Sequence, residues 1–272
     1  DRVCFDARGA YTPEYSEYRV AGIKKIEEEI ESLEKSAVLG SDFRLAVSEK
    51  LVQYWRDKFT YADHRYVIIP CTLNSAHLKH EPDASKTRML RKQMGVKEDE
   101  VLLCYSGSTA GWQSFRLMEK FLLSCLAMNT RCKMLFLTDK KIDFSAALDV
   151  YRDRLIFMSV APSEVFAYLS ACDYGILLRE ESMTNKVSSP VKFAEYLLSG
   201  LKVIITPNVG DYPAFIRENS CGHIVSREMK LQLGTVGTDE KARIAGLGRR
   251  CFGKKAFNDH YRTLLEHLNE NT

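Results

Sequence analysis

Val187-Ser-Ser-Pro-Val-Lys-Phe-Ala-Glu-Tyr-Leu-Leu-Ser-Gly200 carries the marks of both ends of a helix. Ser189 is a good N-cap, Pro190 suits the first helical position because its missing N–H is no loss there, and Gly200 supplies a left-handed stop. Val191, Phe193, Ala194, Leu197 and Leu198 make a wide apolar face, whereas Lys192, Glu195 and Ser199 recur at spacings of three and four on a polar stripe. A helix start with free backbone N–H groups, two serines and a lysine in its first turn can hold a phosphate or diphosphate, with the Glu195 carboxylate one turn further in. The alternative is an exposed Lys192–Glu195 ion pair on a surface helix, worth roughly 0.2–0.5 kcal/mol.

The surrounding composition is that of a globular protein. The chain has 272 residues, 45% hydrophobic and 28% charged, room for one large or two medium domains. Its 39 basic and 36 acidic residues leave a net charge of +3 spread along the chain, which is no polyanion-binding surface and argues against nucleic acid as a partner. The eight cysteines form no C-x-x-C pair and lie mostly in apolar runs, as buried thiols do; a reducing cytoplasm without structural zinc is the expectation. No apolar run reaches the roughly 18–20 residues of a membrane span, so any contact with the inner face of a membrane would be peripheral. A strand at Arg2–Asp6 follows at once on Asp1, as if the chain were entered midway through a domain.

Working outward from the helix, the pattern on both sides is strand, helix, strand. Strands are expected at Val101–Tyr105, Lys133–Leu137, Leu155–Met158, Tyr174–Leu178, Val203–Thr206 and His223–Val225. Helices are expected at Arg88–Met94, Gln113–Met128, Phe144–Tyr151 and Ser163–Ser170, with one capped by Asp211 and a last one marked by Phe257, Tyr261, Leu264, Leu265 and Leu268. Near-continuous apolar strands separated by helices predict an α/β, doubly wound parallel sheet. Before it come a periodic helix from Tyr15 to Leu39, a strand Arg44–Ser48, a helix capped by Ser48, a strand Tyr66–Pro70 and a polar linker, Asn74–Thr87. His77 and His80 in that linker lack a third ligand in step with them and are expected in solvent rather than on a metal.

Doubly wound sheets bind ligands beyond the carboxyl ends of their strands. There the Gly107-Ser-Thr-Ala-Gly111 turn should meet the start of the Val187–Gly200 segment. The turn lacks the G-K-[ST] of a P-loop and does not match G-x-G-x-x-G, and Asp139 comes too late for the ribose acid of a nicotinamide fold.

In combination these residues resemble a family. Gly107-Ser108 with Gly111-Trp112-Gln113, Asp173-Tyr-Gly-Ile-Leu-Leu-Arg179, Ser182, Asn185, Ser188-Ser-Pro-x-Lys192-x-x-Glu195-Tyr-Leu, Gly200-x-x-Val203-Ile and Gly210-Asp211 resemble the donor half of a family 4 GT-B glycosyltransferase, of the bacterial type that builds surface polysaccharides. The resemblance covers about residues 100 to 225 and implies two facing Rossmann-like domains. Residues 1–80 would end an acceptor-side domain whose beginning is missing, 81–250 would bind a UDP- or GDP-linked sugar with no obligatory metal or cofactor, and 251–272 would pack a helix back on the first domain. It implies hexosyl transfer to a glycan or lipid-linked acceptor, with retention of anomeric configuration. Glu195 would grip the ribose, Lys192 with Ser188 and Ser189 the diphosphate, and Gly107, Ser108 and Thr109 the phosphates or sugar. Arg179 and Asn185 would add contacts, Val160 would meet the base, and Asp6 and Arg8 would face the interdomain cleft from the acceptor side. Lys192, Glu195 and Arg179 are the catalytic candidates. The chain departs from the pattern at Val187, where the first glutamate of an E-x7-E motif belongs, and lacks the basic residue after the glycine turn. A sugar-nucleotide epimerase of the same architecture and a non-catalytic binding subunit are the rival readings.

Overall fold

The computed structural model describes residues 2–18, 24–108, 114–226 and 229–269. The apolar runs become two parallel sheets. The first comprises β1 (Cys4–Ala7), helices α1 (Tyr11–Glu17) and α2 (Lys24–Gly40), β2 (Phe43–Ala46), α3 (Glu49–Phe59) and β3 (Tyr66–Ile68), with strand order β1-β2-β3. After α4 (Ala84–Gln93) the second begins with β4 (Val101–Ser106), α5 (Phe115–Met128), β5 (Cys132–Leu137) and β6 (Leu155–Met158). It continues through α6 (Val165–Ser170), β7 (Tyr174–Leu177), α7 (Met183–Val187), α8 (Val191–Leu198), β8 (Lys202–Ile205), α9 (Tyr212–Asn219) and β9 (Gly222–Ile224). Its order is β6-β5-β4-β7-β8-β9, and the chain closes with α10 (Thr238–Phe252) and α11 (Asn258–Asn269). This is the doubly wound α/β arrangement expected from the strand–helix alternation.

Several local expectations are corrected. The Tyr15–Leu39 segment is not one helix: α1 and α2 are separate, Val20 and Ile23 lie outside the described residues, and Leu33 is 69% exposed. Glu34 is buried instead, because its carboxylate accepts the Tyr11 and Thr12 N–H groups and caps α1, whose N-cap Ala10 has no side chain to do so. The polar linker is shorter than its composition suggested, since Asp83 caps α4 by accepting from the Ser85 and Lys86 N–H groups. His77 and His80 are half-buried rather than in solvent: the His77 ring lies 4.7 Å from Phe166, and His80 Nε2 lies 2.9 Å from Ser170 Oγ. Phe144–Tyr151 is replaced by a 3₁₀ winding, Ala146–Arg154, capped by Ser145. All eight cysteines are free.

Strand alternation sorts the second core into two layers. Leu102, Cys104, Leu177, Val203 and Ile205 face a layer containing α8 and α10, while Val101, Leu103, Tyr105, Ile176 and Ile204 face α5. Helix α8 is central, with Phe193, Ala194, Tyr196, Leu197 and Leu198 fully buried. Two glycines let it sit so close. A Cβ on Gly175 would fall 2.3 Å from the Tyr196 ring, and one on Gly248 of α10 would fall 2.7 Å from the Leu198 backbone nitrogen. Gly248→Ala would gain about 1 kcal/mol of helix propensity but lose roughly 1–3 kcal/mol by overpacking against backbone that cannot rotate away. We expect a net loss, read as a lower urea midpoint at unchanged m; a raised midpoint would mean that α8 and α10 separate freely.

The two sheets are joined by specific contacts. Val187 is buried among Ala7, Val47, Leu51 and Trp55 of the first, and its carbonyl accepts from Ser48 Oγ at 2.7 Å. Asp211 does not cap α9 through its side chain; its carboxylate accepts the Glu49 N–H at the start of α3, at 2.7 Å. Glu17 of α1 accepts the Met183 and Thr184 N–H groups at the start of α7. Helix α11 returns to the first sheet, where Leu264 and Leu268 pack with Phe43, Val67 and Ile69. Among the described residues no helix is long and apolar enough to cross a membrane.

Candidate active site

Strand β4 pairs with β5 on one side and β7 on the other, so the chain reverses direction across the sheet between β4 and β7. The loops leaving those two strands open a crevice, the usual ligand position in such sheets. At the end of β4, Gly107 has φ +135°, and a Cβ there would lie 2.4 Å from Lys192 Cε and Nζ. The lysine from α8 therefore lies directly across the glycine turn. Its ammonium donates to the Tyr105 hydroxyl at 3.2 Å and stands 4.6 Å from the centre of that ring; the hydroxyl in turn donates to the Ser108 carbonyl at 2.5 Å. Tyr105 thus ties the lysine to the turn.

The electrostatics place two cations close together in a buried crevice. Burial, reinforced by Arg179, depresses the Lys192 pKa to about 7, with Glu195 opposing the shift. Arg179, buried at the end of β7, is likewise held below its usual value by burial. Two cations in a poorly solvated crevice are stabilised by an anion placed between them. Glu195, half-buried one turn along α8, is raised by burial, with His77 and Lys192 opposing. The expectation of an exposed Lys192–Glu195 surface pair is thereby overturned: neither residue is exposed.

The other sequence candidates divide. Ser189 is not the N-cap of α8: Pro190 occupies that position, and Ser189 Oγ accepts the Cys71 N–H at 2.9 Å and lies 2.8 Å from the Tyr212 hydroxyl. Ser188 Oγ donates to the Asn185 carbonyl at 2.8 Å. Asn185 braces its own loop, donating to the Glu180 carbonyl and the Tyr18 hydroxyl. Ser108 is exposed at the turn, and Val160 lies half-buried in the loop after β6. Thr109 lies outside the described residues. Asp6 and Arg8 form an exposed ion pair at 2.6 Å. Among the described residues no group of three or more His, Cys, Asp or Glu is placed to hold a metal ion.

A cavity of about 210 Å³ joins the two sheets at this point. Arg8, Gly9 and Glu14 line it from the first; Arg179, Thr184, Asn185 and Ser188 line it from the second. Sequence reasoning missed Glu14 and Thr184, for neither belongs to a motif or sits at a distinctive spacing. Arg8, Arg179, Asn185 and Ser188 are brought together; Asp6 is not among the lining residues, and Val187 points away into the first core.

No protein-family model and no curated protein matches the sequence. Solved structures do match in fold. WaaG, a glycosyltransferase involved in lipopolysaccharide biosynthesis, superposes with a TM-score of 0.64 over 98% of this chain and 71% of its own, at 14% identity. Sucrose-phosphate synthase from Thermosynechococcus elongatus gives 0.67 over 99% and 68%, at 17% identity. Anabaena HepE, solved in complex with UDP and glucose, gives 0.63 over 97% and 71%, at 14% identity. The chain therefore has the Rossmann-like α/β fold of the GT-B glycosyltransferases.

Proposed function

We propose that the chain is a glycosyltransferase that moves a hexosyl group from a UDP- or GDP-linked sugar to a glycan or lipid-linked acceptor. The observation that carries this reading is Lys192 laid across the Gly107 turn at the sheet's reversal point, with Arg179 beside it. Such a pair would hold the diphosphate and stabilise the charge that grows on it as the bond to the anomeric carbon breaks, which is where transition-state stabilisation is most effective. Glu195 would accept hydrogen bonds from the ribose hydroxyls one turn further along α8. HepE has also been solved with UDP-glucose, which supports a donor of this class. Retention of configuration and a role in surface-polysaccharide synthesis follow from the residue resemblance, and a cytoplasmic place from the buried thiols. The division into an acceptor-side part, a donor-binding part and a returning terminal helix belongs to the same proposal.

The test is calorimetric titration with UDP, GDP and their sugar conjugates. Saturable binding to one base is expected, weakened about tenfold in Glu195→Ala through loss of the ribose hydrogen bonds, with an unchanged circular dichroism spectrum. Failure of every nucleotide to bind would reject the donor-site reading, whereas equal affinity in Glu195→Ala would remove only the ribose contact.

A further inference from the structure

Tyr105 stands behind the lysine rather than in the crevice. It is 2% exposed on β4, and its ring lies 5.3 Å from Phe115 of α5 and 6.4 Å from Phe136 of β5, with Phe144 packed against both of those rings. A side chain enclosed on so many sides is confined to one rotamer, which makes its hydroxyl a fixed point at the end of the strand.

That hydroxyl carries a single hydrogen, and the hydrogen is committed. It is donated to the Ser108 carbonyl, one residue past Gly107, so toward Lys192 the oxygen can only accept. An oxygen restricted to accepting favours the charged lysine, whereas burial and then Arg179 at the end of β7 favour the neutral one. Glu195 on α8 and Cys104 on β4 are the other titratable groups that act on the lysine, both in the same sense as the hydroxyl. One buried oxygen thus joins the cation of α8 to the backbone of the glycine turn, the two parts that a diphosphate would meet together. We propose that Tyr105 is the positioning residue of the diphosphate site, fixing the Lys192 ammonium across the Gly107 turn without touching the ligand itself; this rests on the donor-site reading above.

The rival role is that of a core tyrosine whose hydroxyl serves stability alone. Tyr105→Phe separates the two because it removes only the hydroxyl: the ring and its face toward Lys192 remain, and Ser108 is exposed, so water can take up its carbonyl. The probe is UDP, or GDP where the intact chain prefers it, with the matching nucleoside as control. In Tyr105→Phe the diphosphate affinity at pH 7 should fall about tenfold while nucleoside affinity stays within about twofold. Proton uptake on binding at pH 7, measured in buffers of different ionisation enthalpy, should rise from about half a proton toward one, because the lysine has lost an acceptor of its ammonium. Placed in Lys192→Met, the same substitution should change diphosphate affinity by less than about twofold, since the tyrosine acts through the lysine. Unchanged affinity and uptake in Tyr105→Phe, or an equal loss with and without Lys192, would overturn the inference while sparing the donor site. Where Lys192→Met binds too weakly to titrate, the uptake alone decides. An intact chain that binds neither diphosphate rejects the donor site, and the inference with it.

Discussion

Replacing Asp173 with alanine is expected to destabilise the chain by about 3–5 kcal/mol, the cost of removing one partner from a buried charge network. Asp173 is 2% exposed just before β7. One carboxylate oxygen accepts the Leu102 N–H of β4 at 2.8 Å and an Arg91 N–H of α4 at 3.2 Å; the other accepts the Val236 N–H at 3.0 Å, with Lys241 Nζ of α10 at 3.9 Å. Four segments therefore converge on one side chain. Its loss would strand two backbone donors, each costing about 1–3 kcal/mol, and remove the charge that offsets the burial of Lys241. Asp173→Asn keeps an acceptor of the same shape and should lose about half as much, because the charge-assisted bonds become neutral ones. Urea unfolding at unchanged m measures this. A loss below about 1 kcal/mol for Asp173→Ala would show that the network is replaced by water and does not organise the fold.

Asp173 also illustrates what the sequence made legible. It belongs to the run Asp173-Tyr-Gly-Ile-Leu-Leu-Arg179, and the strand, its end and Arg179 beyond it were all expected; yet Asp173 sits at the opposite end of β7 from the ligand crevice and serves the fold. Helix α8 was legible because its signals are local: an apolar face, Pro190 before it, and Gly200 at φ +79° after it. So was the place of Lys192 on the polar stripe of that helix, which the structure sets across the Gly107 turn, since side chains three and four apart must share a face. The failures are cases where a distant part of the chain took a group that local rules had assigned. Ser189 and Asp211 were expected to cap their own helices, but Cys71 and Glu49 donate to them from across the interface. Glu34 caps α1 from 23 residues away, so a periodicity that placed Leu33 on the apolar face failed there. The cavity between the sheets could not be found at all, because its walls, with Glu14 on one side and Thr184 on the other, are assembled only when the two sheets meet.

Lys192→Ala is expected to weaken UDP binding about a hundredfold while leaving uridine binding unchanged, the upper range for a charge-assisted contact of about 3 kcal/mol in a poorly solvated site. Lys192→Met, which retains the stem across Gly107 and over the Tyr105 ring, should lose nearly as much, since the missing charge and not the missing packing is responsible. The same residue ties binding and stability to pH in opposite directions. In the unfolded chain the lysine titrates near its ordinary 10.5, and in the folded chain near about 7. Between those values the unfolded state binds more protons, so this group makes the folded state more stable as pH rises from about 7 to 10.5, and contributes no pH dependence below that window. A diphosphate, by contrast, favours the ammonium and must draw a proton onto it. UDP affinity should therefore be insensitive to this lysine's titration below pH ~7 and fall above it, by up to about tenfold per unit, while the terminal phosphate of UDP, with a second pKa near ~6, is already ionised there. Titrations at pH 6 to 9 in buffers of different ionisation enthalpy would report the proton uptake directly. In Lys192→Met both the uptake and the slope should vanish. A variant that keeps the wild-type slope would place the titrating group elsewhere and remove Lys192 from the diphosphate site.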